Sequence, residues 1–154
     1  MANQVRQTGT SGMVKAVTVA DYIVERLAAE GVQHCFGVAG DYVFPICDAV
    51  DSSAKVKWIG CANELNASYA ADGYARVRGA AMLVTTYGVG ELSALNGVMG
   101  AKAERSLVFH IVGMPSYQKS APTQDCPSHL RRWCVRQFRQ PVRRCRVLSC
   151  HYQS

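Results

Sequence analysis

Two carboxylates sit in segments whose neighbours are small enough for chemistry at close range. Glu64 lies in "GCANELNASYAADGYARVRG", surrounded by Cys61, Ala62, Ala67, Ser68, Ala70, Ala71 and Gly73. An ionisable group within a segment built for tight packing is a candidate to hold or share a proton. The plain alternative is a first-turn carboxylate favoured by the helix dipole. Asp41 follows Gly40 in "GVAGDY", where a turn or N-cap aspartate is the ordinary reading. Thr86 opens the run "TYGVG" and reads as a strand-end threonine. Gly88 and Gly90 permit close backbone approach or simply make the strand-to-helix turn. "GVGELSALNG" is not a phosphate-cradling loop, because it has neither the lysine of a P-loop nor a GxGxxG spacing.

The elements that position these residues follow from the apolar pattern. Thr18 can cap a helix with Asp21 in the reciprocal place, Val19, Ile23, Leu27 and Ala28 recur at helical spacing, and Gly31 is a natural stop. "VQHCFGV" reads as a short buried strand, and "GDYVFPICDAV" turns into a helix with Pro45 in its first turn. "KVKWIG" is a second strand, and the Glu64 segment is the next helix. "AAMLVTTYG" is a third strand, "GELSALNGVMGAKAE" a helix and "SLVFHIVG" a fourth strand. Alternating strands and helices predict an α/β fold: a parallel β-sheet flanked by helices. The near-continuous apolar strands fit a sheet covered on both faces. Ligands of such sheets bind at the carboxyl ends of the strands. "GVAGDYVF", "GCANELN" and "TTYGVGE" all fall there.

A chain of 154 residues with 49% hydrophobic content can build one ordinary domain. The net charge of +6 is unevenly spread. Residues 1–118 hold nine Lys/Arg against ten Asp/Glu; residues 119–154 hold eight against the single Asp125, a net of +7. All 13 glycines precede that break, and four of the seven cysteines follow it. The predicted organisation is a flexible arm at 1–16, a domain at 17–118 and an aberrant Arg/Cys-rich, unstructured tail at 119–154. No apolar run reaches the roughly 18 residues of a membrane span. The N-terminus lacks a basic stretch followed by an apolar core, so the expected compartment is the cytoplasm.

The segments "VADYIVERLAAEGVQHCFGVAGDY", "ANELNASYAADGYARVRGAAMLVTTYGVGELSALNGVMGAKAE" and "VFHIVGMPS", in this order, resemble the pyrimidine-binding domain of thiamine-diphosphate-dependent 2-oxo-acid decarboxylases. The resemblance is to the pyruvate, indolepyruvate and phenylpyruvate decarboxylases and covers about residues 17–117. It implies that Glu64 hydrogen-bonds a ring nitrogen of the cofactor's aminopyrimidine, favouring the tautomer that activates the thiazolium carbon. It implies that Asp41 lies near the substrate carbon and takes part in proton transfer and aldehyde release. Many relatives with other chemistry lack an acid there, so Asp41 favours the decarboxylase branch over an acetolactate synthase type. Thr86 matches a residue lining the pyrimidine pocket, and Gly40 and Gly88 flank the same pocket. The cofactors implied are thiamine diphosphate and Mg²⁺, and the substrate is a small 2-oxo acid. Full-length members of the family form homodimers or homotetramers.

This sequence departs from the family in two ways. No adjacent His-His pair occurs, and the GDG…N motif that holds Mg²⁺ and the diphosphate is missing, so no metal ligand is assigned here. His110 reads as a core histidine of a strand. The chain is expected to supply the pyrimidine-side half of a site and to be inactive alone. The tail has the composition of an out-of-frame reading. A zinc site would use Cys126, His129, Cys134, Cys145, Cys150 and His151, but the spacing forms no paired CxxC pattern. The other functional class is a non-catalytic regulatory module whose basic tail binds nucleic acid, with Trp133 and Phe138 to stack on bases. Attraction to phosphates follows from charge alone, so nucleic acid is not an expected partner.

Overall fold

The computed structural model describes residues 5–7, 15–115 and 148–151. Two short strands, β1 (Val5–Gln7) and β2 (Lys15–Val17), pair antiparallel, so part of the expected flexible arm is a small ladder. Helix α1 (Val19–Ala29) starts at Thr18, whose hydroxyl oxygen accepts from the Asp21 amide at 3.0 Å and donates to the Asp21 carboxylate at 2.6 Å. Then follow β3 (His34–Gly37), α2 (Phe44–Asp51), β4 (Lys57–Gly60), α3 (Glu64–Arg78), β5 (Ala81–Thr86), α4 (Val89–Ala103) and β6 (Val108–Met114).

The strands form one parallel sheet in the order β4-β3-β5-β6, extended by β7 (Leu148–His151). The register pairs Phe36 with Ile59 and Leu83, and Leu83 with His110. Strand β7 runs parallel to β6 from Ile111↔Leu148 to Met114↔His151. The expectation of an unstructured tail is therefore corrected at these four residues. The physical reason is the edge: without β7, β6 would present a row of unpaired backbone groups, a template for any extended segment. The rest of the tail, with Cys126, His129, Cys134 and Cys145, lies outside the described residues.

Both sheet faces are covered, and the period-2 alternation of the strands divides the core. Cys35, Met82, Val84 and Ile111 face α1 and α2, where Val24, Leu27, Ile46 and Val50 meet them. Phe36, Ala81 and Leu83 face the opposite way, toward Ala67, Ala71 and Ala75 of α3 and Ala94 and Val98 of α4. The small residues bring α3 and α4 close together. A Cβ on Gly97 would overlap the Ser68 hydroxyl and lie 2.7 Å from Ser68 Cβ. This close pairing explains why the Glu64 segment is poor in large side chains.

Candidate functional site

Asp41, Glu64, Thr86, Gly40 and Gly88 all lie at or just beyond the carboxyl end of a strand. Asp41 is exposed on the turn between β3 and α2, a turn closed by the Val43 amide donating to the Gly40 carbonyl at 2.9 Å. Glu64 is the first residue of α3, half-buried, after the Asn63 N-cap. The Asn63 Oδ1 accepts from the Asn66 amide at 2.9 Å, and the strand before it is held by the Cys61 amide donating to the Gly37 carbonyl at 3.0 Å. The helix dipole of α3 thus acts on Glu64 as the first-turn reading supposed. Thr86 ends β5, and Gly88 caps α4 with φ +69°, a conformation that favours glycine.

Gly40, Thr86, Gly90 and Glu64 lie side by side. The position a Cβ would take on Gly90 lies 2.9 Å from Glu64 Oε1, 3.3 Å from Glu64 Cγ and 3.1 Å from Thr86 Cγ2. The corresponding position on Gly40 lies 3.4 Å from Thr86 Cβ. Thr86 therefore stands between the turn that carries Asp41 and the glycine against which Glu64 rests. Of the two glycines after β5, Gly90 makes the close approach and Gly88 makes the turn.

Two features escaped the sequence reading. Glu91 is a buried carboxylate whose Oε2 accepts from the Gly88 amide at 3.3 Å, and burial raises its pKa while that hydrogen bond partly offsets the rise. The Gly-x-x-Glu spacing at the start of α4 is half of a capping box and could have revealed it. The Tyr42 and Tyr87 rings meet edge to face, with centroids 5.0 Å apart, bridging the turns after β3 and β5. Nothing in the local pattern of either residue signals that contact.

His110 is buried, with its Nε2 2.8 Å from Thr85 Oγ1, and burial pushes its pKa down to about 4. It is a satisfied core histidine, as its place in a strand suggested. Among the described residues no group of three His, Cys, Asp or Glu is arranged to hold a metal ion. Nor, among them, is any helix long and apolar enough to cross a membrane.

The half-buried Glu64 carboxylate packs against Gly90, where a side chain would crowd both its oxygen and Thr86.

Comparison with known proteins identifies the family. Residues 17–133 match the model of the family described as thiamine pyrophosphate enzyme, N-terminal TPP binding domain (thiamine pyrophosphate being another name for thiamine diphosphate). The match runs past the composition break at 118. An alpha-keto-acid decarboxylase of Mycobacterium avium (strain 104) is 56% identical over 101 residues, 66% of this chain and 18% of that protein. One from Mycobacterium leprae (strain TN) is 52% identical over 107 residues, 69% of this chain and 19% of the relative. One from Mycobacterium tuberculosis (strain ATCC 25618 / H37Rv) is 52% identical over 99 residues, 64% of this chain and 18% of the relative. The chain thus spans less than a fifth of the length of these curated relatives. With a parallel sheet whose strand ends gather Glu64, Thr86 and Gly90, and a family match over most of its length, the chain belongs to the thiamine pyrophosphate enzymes through their N-terminal TPP binding domain.

Proposed function

We propose that this chain supplies the pyrimidine-side half of the site of a non-oxidative 2-oxo-acid decarboxylase, which converts a 2-oxo acid to an aldehyde and CO₂. The observation that carries the reading is the close succession of Gly40, Thr86, Gly90 and Glu64, in which a Cβ on either glycine would stand within 3.4 Å of Thr86. Thiamine diphosphate, when bound, supplies the nucleophilic carbon and the electron sink for decarboxylation. Glu64 would hydrogen-bond a pyrimidine ring nitrogen through its carboxyl oxygen and share a proton with it. Thr86 and Gly90 shape the wall on which that ring rests, and Gly88 sets the turn that places them. Asp41, on the neighbouring turn, moves a proton to and from the reacting carbon. Mg²⁺ and the diphosphate would be held by groups other than the described residues, among which no three His, Cys, Asp or Glu are arranged to hold a metal ion. Cys35, Cys47 and Cys61 are free thiols, which suits a reducing cytoplasm.

A graft tests the reading. Residues 17–115 replace the matching segment of the alpha-keto-acid decarboxylase of Mycobacterium tuberculosis, and aldehyde release is measured. The expected result is 2-oxo-acid turnover strictly dependent on added thiamine diphosphate. A folded graft that binds the cofactor yet releases no aldehyde from any 2-oxo acid would sink the assignment.

A further inference from the structure

We propose that Gly113 is a positioning residue for Asp41: with the Tyr42–Tyr87 ring contact, it fixes the turn that carries the carboxylate against the end of β5. The inference rests on the reading that Asp41 works in the site, and it adds the device that holds it there. Gly113 lies in β6, in register with Thr86 of β5. Its carbonyl accepts from the Tyr87 amide at 2.9 Å. On its other side the backbone of the β3–α2 turn presses directly on it. A Cβ on Gly113 would overlap the Tyr42 carbonyl oxygen and Val43 Cγ1, and it would lie 2.6 Å from the Tyr42 carbonyl carbon.

None of these atoms can give way cheaply. Two belong to the backbone, and the third belongs to Val43, which is wholly buried. Strand β6 itself is fixed by its ladder with β5, so an added methyl group must displace the turn. Asp41 immediately precedes Tyr42 and moves with it. The edge-to-face rings then tie the same turn to the residue after Thr86, and Gly40 abuts Thr86 from the remaining side. One glycine thus touches both turns: through Tyr42 the one that carries Asp41, and through Tyr87 the one that leads to Gly88 and Gly90.

The test measures amide hydrogen exchange in the full 154-residue chain carrying Gly113→Ala. The Val43 amide, which closes the Asp41 turn, should exchange about tenfold faster. The Cys61 amide at the neighbouring turn and the β5 ladder amides, which report global opening, should change less than about twofold. Unchanged Val43 exchange would overturn the proposal, as would equal acceleration at all three places, because that is a loss of overall stability only. Should Gly113→Ala not fold, Tyr42→Leu removes the ring contact without inserting an atom beside β6. It should accelerate Val43 selectively in the same way, and a flat response there overturns the proposal too. The catalytic reading of Asp41 is tested apart, by Asp41→Asn in the graft enzyme. Full activity there, alongside a selectively loosened Val43 amide, would leave the positioning device standing and remove Asp41 from the chemistry.

Discussion

At the residue scale, the candidate site depends on where a carboxylate meets an absent side chain. Glu64 was conspicuous in the sequence because a charge interrupts a run of small residues, and the structure shows what the run serves: close approach of α4, with Ser68 against Gly97. Glu91 was less conspicuous: its spacing from Gly88 marks a helix-start carboxylate, but not that it is buried. His110 yields a pH prediction. Its pKa is near 4 in the folded protein against 6.5 in the unfolded chain. The unfolded state therefore takes up the proton first. The contribution of neutral His110 is complete above pH 6.5 and is lost as pH falls toward 4, by about 3 kcal/mol in all. Glu91, whose pKa is raised, works in the opposite direction as pH falls, so the comparison must be with a variant. The urea midpoint of the full chain should drop more steeply between pH 6.5 and 4 than that of His110→Gln, which keeps a partner for Thr85 without titrating. Parallel slopes would show that His110 is not held neutral by burial.

At the element scale, the order of strands and helices was legible in the sequence, and the reasons are visible in particular segments. Thr18 and Asp21 announced the start of α1, and the glycine-bounded apolar run Ala80–Gly88 announced β5, because capping and burial are local properties. The sheet order β4-β3-β5-β6 was not legible, since it depends on crossovers rather than on any one segment. The two-tyrosine contact and the β6–Tyr42 approach were hidden for the same reason. The pairing of α3 with α4 makes its own prediction. Gly97→Ala places a methyl group against Ser68 and should cost about 1–3 kcal/mol by overpacking, read from the urea midpoint. Ser68→Gly in the same chain should recover much of that loss, because the two sites share one contact. Strictly additive effects would mean that the helices do not meet at that point.

At the scale of the whole molecule, the proposed role of the chain is that of one side of a site. Its sheet brings the turns after β3, β4 and β5 to one edge, while its length is under a fifth of the decarboxylases it matches. The resemblance carried by "ANELNASYAADGYARVRG" made the cofactor class legible, yet the contacts that join Glu64 to Thr86 and Gly90 required the fold. The central claim is that Glu64 shares a proton with the cofactor's pyrimidine ring. It is tested most directly by turnover of the graft enzyme with Glu64→Gln, a change that keeps the size of the side chain and removes its charge. Thermal unfolding should remain within a few degrees of the parent graft, while kcat should fall about 10²–10³-fold, the scale of a lost proton-transfer partner. A folded Glu64→Gln enzyme with the kcat of its parent would contradict the account.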